Sequence, residues 1–206
     1  MSDPEVERII GRIEDLFVDG DFWRDTGARI KDAARPHFLR TFKRGIREGL
    51  AVQEGAREFR IAAGTFNLDA DLFPDVAQEV IDEYLDLWWE TLEDATRGEL
   101  RRAIANARAN GWTPQQVAER IEGVFGAARA ATIAVTETTR LLGLGAQESY
   151  KREGFQRWSW RTTEDSAVCV ICGGLNGQTF PIDSPFGPGH PSCRCWPVPI
   201  GEVVPR

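Results

Sequence analysis

Cysteine is absent from this chain except between Cys169 and Cys195, and histidine occurs only at His37 and His190. A disulfide framework spread through the fold is therefore excluded, and ligand chemistry is confined to one short stretch. Apolar runs of about 18 residues, the length a bilayer-spanning helix needs, are also missing. The N-terminus MSDPEVERII is acidic and lacks the positive region and apolar block of a signal peptide. These absences set the expected compartment as a reducing cytoplasm, where thiols stay free and disulfides are the lesser fate. A surplus of positive charge is lacking too, since the net charge is −7. Coating of nucleic acid through bulk charge, which relies on Lys and Arg displacing counterions, is thereby excluded, and any such contact must be local. There is no tandem repeat, no low-complexity tract and no coherent catalytic set, so no enzyme is expected.

What remains is an ordinary globular composition over 206 residues, enough for one large domain or a domain with a small appendage. Residues 1–34 read as an N-terminal arm, 35–153 as a helical body and 154–206 as a small subdomain rich in turns. The body is rich in Ala, Leu, Glu and Arg with apolar residues three and four apart, which favours helix. FQRWSWR then places Trp158 and Trp160 on one face and Arg157, Ser159 and Arg161 on the other, the period of a half-buried strand. Beyond Thr162 come Gly, Pro, Asp, Ser and Cys, a region with little core of its own that needs a staple. The expected fold class is α+β, mostly α: an elongated helical body followed by a zinc-stapled, β- and turn-rich C-terminal subdomain.

Helix starts are marked at Ser2 with Glu5, and at Thr113 with Gln116 and Pro114, both with capping-box spacing. A helix from about Pro74 carries a stripe of Val76, Val80, Tyr84, Leu87 and Trp88, and Gly64 to Asn67 mark a break before it. Between Ile30 and Arg60 a further helix lines up Phe38, Phe42, Ile46 and Leu50. Its outer face is basic through Arg35, Arg40, Lys43, Arg44 and Arg47, whereas the stretch from Asp69 to Asp94 is strongly acidic. The two faces either attract one another or the basic one meets DNA or an acidic partner. Phe17, Phe22 and Trp23 in the arm serve to dock it on a neighbour or on its own body.

The cysteine stretch has the spacing C-x2-C-x17-H-x2-C-x-C, with Cys169 and Cys172 as one knuckle and His190, Cys193 and Cys195 as further donors. Zn2+ takes four tetrahedral thiolate or imidazole ligands, and two cysteines in a tight turn reach one ion together. Five donors compete for four places. An extended Cys193 to Cys195 segment would point its side chains to opposite sides, which favours Cys169, Cys172, His190 and Cys193, with Cys195 as the variant. A closed, structural ion is expected. Alternatives are a disulfide pair, a Cys-His nucleophile, and an open catalytic zinc with Asp165 or Glu164 as base. A nucleic-acid module is the other rival, its surface made by Arg157, Arg161, Arg194 and the edges of Trp158 and Trp160.

The segment AATIAVTETTRLLGLGAQESYKREGFQRWSWRTTEDSAVCVICGGLNGQTF with GHPSCRC resembles the phage head morphogenesis family, minor capsid proteins similar to protein F of phage Mu. The features carrying the resemblance are Thr136 and Glu137 on a helix, Trp158 or Trp160 opening a strand and Asp165 before the CxxC. They continue with Leu175, Gly177 and Phe180 as L-x-G-x-x-F, and the H-P-x-C-R-C from His190 through Arg194 to Cys195. The likeness is close from about Gly111 to Pro199, looser back to about Arg35, and absent from the first thirty or so residues. Val135 stands where the family carries an arginine, a place Arg129 or Arg140 on a neighbouring turn would fill. Some relatives carry a C-terminal toxin or transferase domain, which is not expected in a chain that stops at Arg206. The resemblance implies a non-enzymatic protein of the virion head, made in the host bacterial cytoplasm. It would act at or near the portal vertex in assembly, genome packaging or ejection. Its implied partners are the portal or major capsid protein, with packaged DNA as a further candidate and a homo-oligomer or multiple copies per head, and no membrane.

Overall fold

The structure, a computed structural model, describes residues 3–58 and 74–201. Among the described residues, six helices and three strands follow one another: α1 (Pro4–Val18), α2 (Gly20–Glu58), α3 (Pro74–Asn110), α4 (Pro114–Phe125), α5 (Ala127–Arg152), β1 (Arg157–Arg161), α6 (Val170–Leu175), β2 (Thr179–Pro181) and β3 (Trp196–Ile200). The class is α+β and mostly α, as the sequence predicts. Helix α1 begins with Asp3 rather than Ser2 as its cap: the Asp3 carboxylate accepts the Glu5 N–H at 2.8 Å, and Pro4 needs no partner for the N–H it lacks. The predicted box at α4 is complete, with Thr113 and Gln116 each accepting the other's backbone N–H at 3.3 and 2.9 Å. Ser2, the expected break at Gly64 to Asn67, and Asp69 and Asp71 lie outside the described residues.

The chain divides into two compact units, Met1–Arg35 with Asp82–Ala131, and Pro36–Ile81 with Thr132–Arg206. The core of the first is formed by Val6, Ile10 and Ile13 of α1, Trp23, Trp89, Leu100 and neighbours on α3 and α4. The arm residues thus pack on the chain's own body: Trp23 is buried and donates its indole N–H to the Leu16 carbonyl at 2.6 Å. Phe22 stays 39 % exposed. The predicted stripe of α3 is displaced by one residue. Ala77, Ile81, Leu85 and Trp89 are the buried row, whereas Leu87 is 62 % exposed. A four-residue spacing fits both rows, and the choice falls to packing: Trp89 lies where a Cβ on Gly27 would come within 2.5 Å of its Nε1. One end of the basic face meets the acidic stretch here, through Arg35 and Asp82 with Lys31 and Asp86 at 2.6 Å beside them, whereas Arg44 pairs with Glu48 on its own helix.

In the second unit Phe42 and Ile46 of α2 are buried as predicted. They sit at a close helix crossing with α5. A Cβ on Gly45 would fall 2.2 Å from the Leu142 carbonyl oxygen, and one on Gly145 the same distance from that of Phe42. The three strands form an antiparallel sheet of order β2-β1-β3. Trp158 faces Phe180 on β2 and Pro199 on β3, and Trp160 faces Pro197. Ser159 is buried along with the two tryptophans, because a central strand is covered on both edges and here on both faces. This subdomain has more core than its composition suggests. Trp158, Trp160, Ile182, Phe186 and the cysteines cluster with Ala146 and Tyr150 borrowed from α5.

Gln147 of α5 ties this core together. Its Nε2 donates to the Ile182 and Ser184 carbonyls, each at 2.6 Å, and its Oε1 accepts the Phe186 N–H at 2.8 Å. Gln147→Leu strands three backbone groups at a buried site and is expected to cost about 3 kcal/mol, at 1–3 kcal/mol for each group left unsatisfied. A denaturant midpoint shift equivalent to less than about 1 kcal/mol would show that the loop finds other partners. Tyr150, whose hydroxyl donates to the Pro197 carbonyl at 3.1 Å, has its phenol pushed up to about 12 by burial. A raised folded value means the stabilisation is complete below the ordinary tyrosine range and is lost as pH rises through about 12. Spectrophotometric titration should therefore show one of the two tyrosines ionising late, and only with unfolding.

Candidate metal centre

The knuckle is built on the start of α6. Cys169 occupies its N-cap in extended backbone, and its sulfur accepts the Cys172 N–H at 3.4 Å. That N–H, followed by the thiol of Cys172 and the Ile171 N–H, holds the Cys169 thiol below its ordinary value against the cost of burial. The turn at Gly177 (φ +82°), a conformation only glycine adopts freely, returns the chain to the sheet, its N–H bonded to the Trp160 carbonyl at 2.8 Å.

The second set of donors arrives on the loop from Gly187 to Cys195. Two threonines on α5 hold it. The Thr136 hydroxyl accepts the Ser192 N–H at 2.9 Å, and the Thr139 hydroxyl donates to the Cys193 carbonyl at 2.7 Å. Ser192 sits at φ +60°, a strained setting for a side-chain-bearing residue, and is kept there by these contacts. Thr136 was expected from the resemblance. Thr139 was not singled out, although its place three residues along the same helix face is a legible signal.

The donors converge in two overlapping groups, Cys169 with Cys172 and His190, and Cys172 with Cys193 and Cys195. Within each, the ligand atoms lie no more than 4.8 Å apart. Cys172 belongs to both. The expectation that Cys193 and Cys195 point to opposite sides fails, because β3 begins only at Trp196 and the segment before it is irregular, leaving the Ser192 turn. The Cys172 and Cys193 sulfurs stand 3.7 Å apart. That is close to the edge of a tetrahedron of sulfurs about 2.3 Å from one zinc, roughly 3.8 Å. His190 Nδ1 lies 2.7 Å from the Pro191 carbonyl, to which it must donate, so the lone pair of Nε2 is left for a metal. A small cleft of ≈ 40 Å³ between Cys169, Cys172, His190 and Cys195 has room for an ion. The set fits zinc: soft sulfur and imidazole donors, none bridged to another, around one small space.

Electrostatics prepare some of these sulfurs and not others. Burial pushes the Cys172 and Cys195 thiols up. Burial also acts on Cys193, but the N–H groups of Cys195 and Gly189 outweigh it and hold that thiol low.

Asp165 is engaged elsewhere. Its two carboxylate oxygens take Arg194 at 2.9 Å each, and one accepts the Ala167 N–H at 3.0 Å. The guanidinium beside it holds its carboxyl below the usual range. It is therefore a clamp between the two donor segments, rather than the base considered from the sequence. Glu137 pairs with Arg140 at 3.4 Å, whereas Arg129 is turned to the Val124 carbonyl and Thr96. Of the two arginines proposed to stand in at Val135, Arg140 is the one beside the glutamate. The nucleic-acid surface drawn from Trp158 and Trp160 does not exist as such: they are 2 % and 4 % exposed, so no base can stack on them.

Compared with known families, residues 98–197 match the one described as phage Mu protein F like protein. No curated protein and no solved structure matches the chain.

Proposed function

We propose, from the match of residues 98–197 to the phage Mu protein F like family, a phage head morphogenesis family, that the protein is a minor component of a tailed-phage head. Its place is at or near the portal vertex, in assembly, packaging or ejection, and its role is structural rather than catalytic. The observation that carries the reading is the extent of the match, which takes in the Thr136 and Glu137 helix, β1, β2, the start of β3 and all five donors through Cys195. The centre then holds one structural Zn2+ through Cys169 and Cys172 with two of His190, Cys193 and Cys195. A bound zinc supplies a cross-link between α6 and the loop held by α5, which are joined otherwise by side-chain packing and the Asp165 clamp. The partners are portal or coat protein, with virion particles the final location.

The test is composition of purified particles. Mass spectrometry of virions should detect the protein at a few copies per portal, and an amber allele should give heads that fail to fill or to infect. Particles that lack the protein and remain fully infectious would end this reading.

A further inference from the structure

Trp160 Nε1 is a buried donor with no hydrogen-bond partner among the described residues. The adjacent indole on the same strand face is not in this position, since Trp158 donates to the Ser184 carbonyl at 2.9 Å. Trp160 pairs with Pro197 across the β1–β3 ladder, and Cys195 lies two residues before Pro197, just ahead of the strand. The two share one buried cluster. Among the sulfurs of that cluster it is Cys195 whose ionised form the indole N–H favours, although the two make no hydrogen bond as they stand. The ring and the Cys172 sulfur both flank Gly189, where an added Cβ would stand 3.7 Å from each.

A neutral thiol is a weak acceptor, whereas a thiolate on a metal carries charge and draws N–H donors. Cys169 and Cys193 receive theirs from the backbone, from Cys172 and from Cys195 and Gly189. We propose that Trp160 is a positioning residue of the metal centre, its indole N–H held for the thiolate of Cys195, so that Cys195 is one of the sulfurs that carry the metal. This rests on the reading of the centre as a metal site. It explains why a polar ring edge is buried unpaired beside a sulfur cluster, and it moves the expected choice between Cys193 and Cys195 toward a set that includes Cys195.

The full chain loaded with ¹¹³Cd2+ tests it without any substitution. One of the seven indole N–H groups should show scalar coupling to cadmium through the N–H···S contact, and its side-chain contacts should identify it as Trp160. A chain that binds cadmium with no coupled indole overturns the proposal. In Co2+-loaded protein, Trp160→Phe should shift the thiolate-to-cobalt charge-transfer band and weaken binding about 10- to 100-fold, the usual effect of losing an outer partner of a ligand. Trp158→Phe should leave the band in place. An unchanged band in Trp160→Phe also overturns it. If the wild-type chain binds neither ion, the metal reading itself fails and this proposal falls with it, a result distinct from binding without coupling.

Discussion

Cys172→Ser is expected to abolish stoichiometric zinc and to unfold residues 155–200 while most of the helical signal persists. Cys172 alone belongs to both donor groups and is 2 % exposed, so neither a fifth donor nor water replaces it. Structural zinc contributes roughly 10–16 kcal/mol of apparent binding free energy, or about 2.5–4 kcal/mol for each of four ligands. Losing one shared donor should weaken binding by about two to three orders of magnitude. Cys193→Ser and His190→Ala should be milder, since five donors serve four places and one can be recruited. Elemental analysis with a free-thiol count, followed by near-ultraviolet circular dichroism of the tryptophans with and without chelator, reads both effects. Equal losses in all three variants would contradict the shared role of Cys172, and full thermal stability of Cys172→Ser would remove the staple.

The second large effect lies away from the sulfurs. Gly145→Ala places a methyl carbon about 2.2 Å from the Phe42 carbonyl oxygen, and Gly45→Ala does the same at Leu142. Both obstacles are backbone, so relief requires the two helices to separate. Overpacking in a close-packed core commonly costs 1–3 kcal/mol and more where the backbone must move, so a loss of about 3 kcal/mol or greater is expected for either. Gly49 extends the same seam, with Ala146 Cα 2.8 Å from its added carbon. Gly11 in α1 is the control: nothing lies within 4 Å, and Gly11→Ala should stabilise by roughly 0.5–1 kcal/mol through helix propensity. Chemical denaturation of the three variants separates crossing from propensity. A Gly145→Ala protein as stable as wild type would mean α2 and α5 do not approach this closely.

The sequence by itself determined the starts of α3 and α4 and which side chains could serve as donors. Capping at Thr113 is written in residues three apart that satisfy each other's backbone, and the ligand chemistry of Cys169 to Cys195 is stated by residue type, because thiolate and imidazole have few other reasons to gather. These signals are local, and local energetics fix them. The rest depended on what lies opposite. Which row of α3 faces inward was decided by Gly27 making room for Trp89, since a four-residue period alone admits two rows. The pair Gly45 and Gly49 reads as two weak helix formers until α5 is laid against it. Asp165 was a candidate base by sequence and became a clamp because Arg194, 29 residues on, reaches it. Cys193 and Cys195 were separated by an alternation rule that holds only in an extended strand, and the Ser192 turn pinned by Thr136 and Thr139 brought both to Cys172. Only the tertiary structure decided these, because each turns on a contact between segments far apart in the chain, whose free energy no single window of sequence contains.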